Sequence, residues 1–166
     1  DGAVLHSWYH PGSRYWSRVR VLENGNLLAV TIKPPQLLCL DARSRLLWSF
    51  SGHAHHDVVT TEEGLVLALV RRLVTRSYLN DGEQVIDDGV LLLNRDGKQL
   101  AYVSLLEAFE NSEIGEEQLA ERLASDGADI FHVNSLEVLP MEENLQVLLS
   151  IRSLGTVAVL DLPNRK

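Results

Sequence analysis

Short apolar runs separated by tight polar turns recur along the chain, and this pattern constrains its fold more than any other feature. The clearest turn contains Asn24-Gly25, because Asn-Gly between two apolar runs is a strong β-hairpin signal. Strands joined by such short turns pair as antiparallel neighbours. The pattern therefore predicts a first four-stranded sheet from residues 19–22, 27–32, 37–40 and 46–50.

Two further groups repeat this order of strands. They are predicted at residues 57–60, 65–70, 90–93 and 99–105, and at 134–139, 145–150 and 156–161. The dipeptides Leu40-Asp41, Leu93-Asn94 and Leu160-Asp161 take the same place in the three groups, directly before a turn. The opening residues 5–8 match 46–48 and are predicted to form the outer strand of a preceding group. Such a repeated four-stranded unit is typical of a β-propeller.

The sequence therefore predicts an all-β fold, a β-propeller of four-stranded antiparallel blades with about three blades present. The blades are expected at approximately 19–50, 57–105 and 134–161 of a single partial domain that covers residues 1–166. Propellers contain roughly four to eight blades of ~40 to 45 residues, so three blades leave the ring incomplete. We expect the chain to be part of a longer propeller; an interrupted blade order and completion by a partner are the alternatives.

Two segments interrupt the repeat and are interpreted as insertions. The first covers roughly residues 71–88, and the second about 107–128. Within the second, residues 116–124 are predicted to form a short amphipathic helix, because Leu119 and Leu123 share one helix face. A surface excursion is the favoured interpretation of this helical insertion, and a lid is the alternative.

The composition argues against several classes of function. A formal charge of −8 over 166 residues disfavours binding to nucleic acid or to an anionic membrane surface. No apolar run is long enough to span a bilayer. The single cysteine, Cys39, lies in an apolar run and is predicted to be a buried core thiol. Any anionic ligand must therefore be bound by local cationic side chains against the overall field.

A histidine-rich segment, His53-Ala54-His55-His56-Asp57, heads the second group of strands. Closely spaced imidazoles and a carboxylate are ligands that zinc prefers, so one interpretation is a zinc-dependent hydrolase. The spacing is similar to the opening of the metallo-β-lactamase motif, but Val58 stands where that motif continues with histidine. The alternative is a polar loop whose histidines bond to the backbone, which we favour for His53.

A second polar segment, Phe131-His132-Val133-Asn134-Ser135, heads the third group, in the place that His55-His56-Asp57 takes in the second. The innermost strands of propeller blades begin at the central channel, so the two segments are expected to meet there. Asn134 and Ser135 also suit a structural role, because such side chains orient loops through hydrogen bonds to the backbone.

Arg152 ends the apolar run of the third group. A guanidinium presents a planar fork of donors to two oxygens of a sulfuryl or phosphoryl group, which lysine cannot match. A surface salt bridge to Glu142 or Glu143 is the alternative. His132 and Arg152 therefore predict an anion-binding site at the ends of the strands.

At these residues the sequence resembles the arylsulfotransferase family of bacterial six-bladed propellers. The resemblance spans roughly residues 19–162 and is carried by His55-His56-Asp57-Val58, by Phe131-His132-Val133-Asn134-Ser135 with Pro140 downstream, and by Ser150-Ile151-Arg152. It implies transfer of a sulfuryl group from an aryl sulfate to a phenolic acceptor, without a cofactor, through a transiently sulfated histidine. It also implies a periplasmic or secreted location, with a cytoplasmic one left open.

The resemblance implies a role for each candidate residue. His132 and Arg152 would bind and polarise the sulfuryl oxygens, and His56 would assist as an acid–base group; these three are the catalytic candidates. The substrate-binding candidates are His55, Asn134 and Ser135. No metal is implied, the partners are a small aryl sulfate and a phenol, and self-association into a homo-oligomer stays open.

One part of the family's pattern is missing from the sequence. In the family, the nucleophilic histidine lies in a later blade, beyond the Ser-x-Arg element. Residues 153–166 follow Arg152, and none of them is a histidine. We therefore expect this chain to contain the sulfuryl-binding half of a site without its nucleophile. A noncatalytic propeller module that binds a ligand or a protein is the alternative function.

Overall fold

Eleven β-strands in three antiparallel sheets make up most of the structure, a computed structural model that describes residues 2–113, 119–121, 128–140 and 144–163. The first sheet contains β1 (Arg14–Val21), β2 (Leu27–Lys33), β3 (Pro35–Leu40) and β4 (Leu46–Phe50). The second contains β5 (Ala54–Thr60), β6 (Val66–Thr75), β7 (Gln84–Leu93) and β8 (Gln99–Ser104). The third contains β9 (Val133–Leu139), β10 (Gln146–Ile151) and β11 (Thr156–Asp161). Within each sheet, strands adjacent in sequence pair with each other, so the predicted all-β class is confirmed.

Four turns share one backbone design. In each, the N–H of the first residue donates to the carbonyl of the fifth, and the N–H of the fourth donates to the carbonyl of the first. The fourth residue has a left-handed backbone and is Gly25, Ser44, Gly64 or Gly97. Glycine adopts this conformation at little steric cost because it has no Cβ. The hairpin predicted at Asn24-Gly25 is the first of these turns and is confirmed.

The second sheet is buried on both faces, and the hydrophobic core lies on either side of it. Alternate residues of a strand point to opposite faces. Val66 and Val70 of β6 pack toward the first sheet, whereas Leu67 and Leu69 pack toward the third. Cys39 belongs to the first of these two layers, where burial raises the pKa of its thiol to about 11, so its predicted core position is confirmed.

A buried carboxylate joins the first strands of the three sheets. Asp57 lies in β5, and its Oδ1 accepts hydrogen bonds from Nε of Arg18 in β1 and from the N–H of Val58, both at 2.9 Å. Its Oδ2 accepts the N–H of Leu136 in β9 at 3.1 Å. Since a buried carboxylate needs such donors to offset its desolvation, Asp57 fixes how β1, β5 and β9 lie beside one another.

The interpretation of residues 71–88 as an insertion is wrong. β6 and β7 continue through this segment and stay paired in register from Arg71 and Asp88 to Thr75 and Gln84. A short 3-10 turn at Asn80–Gly82 lies between the two strands. Charged residues such as Arg71 and Asp88 break the apolar pattern of β6 and β7, so the sequence pattern did not predict that the hairpin continues.

The outer strand predicted at residues 5–8 is also wrong, because these residues form no strand. Trp8 instead packs against the first sheet, and its Nε1 donates to the carbonyl of Asp41 at 3.1 Å. The side chain of Leu5 is exposed. The segment therefore covers the first sheet without extending it.

The predicted helical insertion is described in part. It opens with α1 (Leu105–Glu110), whose N-cap is Ser104. Residues 119–121 are also helical, and Leu119 is buried in the core beside the second and third sheets. Leu123 lies outside the described residues. The insertion thus returns to the core at Leu119.

Candidate functional site

Seven ionisable side chains of the second and third sheets lie close together near the starts of β5 and β9. They come from β5, β6 and β7 and from the segments next to β9 and β10, and we call them the polar cluster. Its members are His55, His56, Arg71, Asp88, Asp129, His132 and Arg152.

His132 lies at the centre of the polar cluster, directly before β9. Its backbone has a left-handed φ of 51°, and its carbonyl accepts the N–H of Arg152 at 3.2 Å. Its Nδ1 is 2.7 Å from Oδ2 of Asp129. The ring is three-quarters buried. Nδ1 contacts Asp129, and Nε2 faces other members of the polar cluster.

His56 reaches His132 because β5 is irregular. Ala54 pairs with Val70 and Val58 pairs with Ala68, so three residues of β5 oppose a single residue of β6. Bulges of this kind redirect side chains at strand ends. The Nε2 atoms of His56 and His132 lie 3.4 Å apart as a result.

Arg152 completes the group around His132. Its side chain is exposed, and its Nη1 lies 3.5 Å from Nε2 of His132. An imidazole from β5 and a guanidinium from the end of β10 therefore converge on the same ring nitrogen. These are the three residues predicted to be catalytic, and the structure brings them together.

The three predicted substrate-binding residues lie differently. His55 turns toward the second sheet, where its Nε2 is 3.0 Å from Oδ1 of the buried Asp88, a close contact that is not aligned as a hydrogen bond. Asn134 and Ser135 are exposed at the start of β9, and Ser135 pairs with Ser150. A contact of these three residues with substrate stays a prediction.

Sequence reasoning gave no role to three members of the polar cluster: Arg71 and Asp88, which it did not single out, and Asp129, which opens the polar segment before β9. Arg71 donates from Nε to Oδ1 of Asp88 at 3.1 Å, and its Nη2 lies 3.3 Å from Oδ2 of Asp129. Oδ2 of Asp88 accepts the N–H of Val133, next to His132, at 2.8 Å. Arg71 and Asp88 are opposite one another on paired strands, so a continued hairpin was the signal that would have found them.

The surroundings of His56 and Asp88 determine the charges of these two side chains. Burial lowers the pKa of His56, and the neighbouring His55 and Arg71 lower it further, so this imidazole is neutral near pH 7. Burial by itself would raise the pKa of Asp88, but the contact with His55, the N–H of Val133 and the charge of Arg71 outweigh it and hold the pKa below its ordinary value. Asp88 therefore stays ionised.

The histidine segment does not form a zinc site. Asp57 is committed to Arg18 and to backbone amides, and His55 faces Asp88. The described part of the chain contains no group of three or more His, Cys, Asp or Glu side chains that could bind a metal ion. The zinc-hydrolase alternative is therefore not supported by the geometry of its own ligands.

The counterpart of His132 in the second sheet is His53, not the pair His55 and His56. The carbonyl of His53 accepts the N–H of Arg71, as the carbonyl of His132 accepts that of Arg152. The expected alignment, which gave His132 the same place in the repeat as His55 and His56, is therefore wrong. The extra residues in the irregular part of β5 account for the offset. His56 still meets His132 because that irregularity carries it across.

Comparison with known proteins places the chain in a family. No curated protein matches the sequence. None of the helices in the described ranges is long and apolar enough to cross a bilayer. The family model described as Arylsulfotransferase (ASST) matches residues 8–166, a range that includes all three sheets and every member of the polar cluster. The chain therefore belongs to the arylsulfotransferase family.

Proposed function

We propose that the polar cluster binds the sulfuryl group of an aryl sulfate and that the chain contributes this part of an arylsulfotransferase site. The observation that carries the proposal is the convergence on His132. Nε2 of His56 lies 3.4 Å from Nε2 of His132, and Nη1 of Arg152 lies 3.5 Å from it. Family membership supplies the substrate class, an aryl sulfate donor and a phenolic acceptor.

The charge balance of the polar cluster supports an anion at this point. Arg71 is neutralised by two carboxylates, Asp88 and Asp129. Arg152 is exposed and takes part in no ion pair with the residues that the structure describes, and the alternative partners Glu142 and Glu143 lie outside those residues. A guanidinium with no carboxylate partner among the described residues, beside two imidazoles, offers planar, oriented donors to a sulfuryl group, even though the chain has a net charge of −8.

The proposed roles follow the geometry of the donors. His132 and Arg152 bind sulfuryl oxygens and stabilise the charge that develops on them, as preorganised donors do in transfer reactions. His56 exchanges a proton with the phenol oxygen. His55, Asn134 and Ser135 are the proposed further contacts with the substrate. A histidine other than these residues attacks the sulfur as the phenolate leaves, and the sulfuryl group then passes from that histidine to the acceptor phenol.

We also propose that the three sheets are blades of a propeller, at residues 14–50, 54–104 and 133–161 of one domain. The side-by-side arrangement of β1, β5 and β9 around Asp57 supports this, since the first strands of blades line a central channel. The polar cluster would then face that channel. A periplasmic or secreted location rests on the family alone.

An assay with 4-nitrophenyl sulfate and phenol tests the function in a protein that joins this chain to a blade bearing the nucleophilic histidine, because the chain is proposed to supply only the sulfuryl-binding part of the site. We expect His132→Ala and Arg152→Ala each to lower kcat/KM by about 100-fold or more, the effect of losing one preorganised donor. Arg43→Ala is the matched control, because Arg43 is exposed in a distant turn. Unchanged rates in both cluster variants would sink the proposal.

The noncatalytic alternative has its own outcome in the same experiment. It needs only the donors of the polar cluster and no nucleophile. A binding module would show saturable sulfate binding that both variants weaken, with no release of 4-nitrophenol even when the nucleophilic histidine is supplied. Sulfate binding that neither variant affects would remove both functions.

A further inference from the structure

We propose that Asp129 is a positioning residue for His132, which fixes the ring in the tautomer that carries its proton on Nδ1. Nε2 is then the nitrogen that takes up a second proton when an anion binds, and the resulting imidazolium donates that proton to a sulfuryl oxygen while Nδ1 keeps its bond to Asp129. The inference rests on the proposed function for its consequence in binding, but the tautomer itself can be measured without any substrate.

The contact between the two side chains determines where the proton lies. Nδ1 of His132 is 2.7 Å from Oδ2 of Asp129. A carboxylate oxygen in this pair accepts, so the imidazole must donate from Nδ1. On the other side of the ring, Arg152 can only donate, and its Nη1 lies 3.5 Å from Nε2. Both neighbours therefore favour a proton on Nδ1 and a lone pair on Nε2.

Asp129 is itself placed by backbone contacts on two sides. The N–H of Ile86 in β7 donates to the carbonyl of Ala128 at 2.6 Å, and Ile86 and Asp129 form an isolated parallel bridge. The hydroxyl of Ser153, just beyond Arg152, donates to the carbonyl of Asp129 at 3.5 Å. The carboxylate is therefore presented to His132 from a backbone attached to both the second and third sheets.

Arg71 supports the same carboxylate. Its Nη2 lies 3.3 Å from Oδ2 of Asp129, the oxygen that also faces His132. Its Nε donates to Asp88, which is fully buried and bonds to the N–H of Val133. Arg71 thus offsets the repulsion between two carboxylates that touch His132 and its neighbour. Such outer partners orient an active histidine and select its tautomer.

The position of the contacts predicts how two substitutions differ. Both Arg71 and His132 face Oδ2 of Asp129, whereas Oδ1 is buried without a hydrogen-bond partner. In Asp129→Asn, the amide oxygen can take the place of Oδ2 and keep both contacts while the amide nitrogen takes the place of Oδ1. In Asp129→Ala, the acceptor is lost, and the ring is free to move its proton to Nε2.

Nitrogen-15 NMR of the histidine rings in the full chain tests the tautomer directly. We expect the parent protein to show His132 with its proton on Nδ1, Asp129→Asn to retain that pattern, and Asp129→Ala to lose it. Asp96→Ala is the control, because Asp96 is exposed in the turn after β7. The same Nδ1 tautomer in Asp129→Ala, or an Nε2 tautomer in the parent protein, overturns the inference; the parent measurement needs no variant to fold.

Sulfate affinity separates this inference from the proposed function. We expect Asp129→Ala to weaken sulfate binding by about tenfold, the lower end of the losses seen when the partner of a ligand-binding histidine is removed. If His132→Ala weakens binding and Asp129→Ala does not, Asp129 has no positioning role and the proposed site stands. If neither changes the affinity, the proposed function fails, whatever tautomer the ring adopts.

Discussion

The second and third sheets begin with the same backbone frame. In the second, the carbonyl of His53 accepts the N–H of Arg71; in the third, the carbonyl of His132 accepts the N–H of Arg152, and both bonds measure 3.2 Å. The two histidines have left-handed φ angles of 54° and 51°. Each frame therefore places a histidine before the first strand of the sheet, bonded to an arginine that lies within β6 in the second sheet and directly after β10 in the third.

The side chains of the two frames have opposite surroundings. His53 is exposed, whereas His132 is mostly buried and bonded to Asp129. Arg71 lies between the carboxylates of Asp88 and Asp129, and Arg152 faces only the imidazole of His132 among its described contacts. One arginine is thus neutralised by the protein's own carboxylates, whereas the other has no carboxylate partner among the described residues and can face an external anion.

The shared backbone frame therefore does not determine where the candidate site lies. The two carboxylates decide it, because they neutralise the arginine of the second sheet and orient the histidine of the third. The irregularity in β5 adds His56, whose Nε2 lies 3.4 Å from that of His132. Five substitutions test whether the two frames differ in this way.

The largest effect is expected from Asp88→Ala. Asp88 is fully buried, and its removal leaves Nε of Arg71 and the N–H of Val133 without their acceptor and His55 without the carboxylate that it faces. Breaking a buried ion pair by deleting one partner costs about 3–5 kcal/mol in the free energy of unfolding. Urea denaturation measures it, with Asp96→Ala expected within about 0.5 kcal/mol of the parent. Equal stability of the two variants would contradict the buried network.

The two arginines are expected to separate stability from binding. Arg71→Ala uncovers two carboxylates, and since the guanidinium is a quarter exposed we expect a loss of about 2 kcal/mol in the free energy of unfolding. Arg152→Ala should leave stability within about 0.5 kcal/mol and weaken sulfate binding about tenfold, or ~1.4 kcal/mol. Similar losses of stability in both variants would show that the two frames are equivalent.

The titration of His56 predicts a smaller, pH-dependent effect. Its pKa is lowered from its ordinary value of 6.5. Between the lowered value and 6.5 the unfolded chain binds more protons than the folded one, so His56 makes stability fall as the pH falls through this window. We expect His56→Gln to flatten the decline in urea midpoint as the pH falls below 6.5. An unchanged slope would argue against this environment for the ring.

Added sulfate should oppose the same decline in the parent protein. An anion beside His56 favours its protonated form, and a ligand that binds the folded state stabilises it by mass action. The stabilisation by sulfate is therefore expected to grow as the pH falls, and to grow less in His56→Gln. Equal dependence on pH in the two proteins would place the anion elsewhere.

The smallest effect is expected from His53→Ala, at the counterpart of His132. Its side chain is exposed, so both stability and sulfate affinity should stay close to those of the parent, within about 0.5 kcal/mol. The same substitution at His132 provides the contrast. A loss of sulfate affinity in His53→Ala would move the site toward the second sheet.

Much of the fold followed from local signals. Turn residues such as Asn24-Gly25 and apolar runs such as that around Cys39 specify strands through backbone conformation and burial, which depend on few neighbours. The long ends of β6 and β7 were missed because Arg71, Asp87 and Asp88 break the apolar pattern there. Their burial depends on pairing between distant residues, which a local pattern does not contain.

Only part of the candidate site was predictable from the sequence. His56, His132 and Arg152 stood out as polar residues at strand ends, and the structure brings them together. Asp129 was visible beside His132, but its role depends on a contact with Arg71 from another sheet. The irregularity in β5 was not visible either, because it is set by the pairing of Ala54 and Val58 with β6.

A sulfate titration, monitored by NMR through the side chains of His56, His132 and Arg152, tests whether the polar cluster binds an anion. The convergence of these groups within 3.5 Å predicts that their signals shift together, along one saturable binding curve. The signals of His53, His6 and His10 should stay in place. Signals of His132 and Arg152 that do not respond, while other histidines shift or none does, would contradict an anion site at the polar cluster.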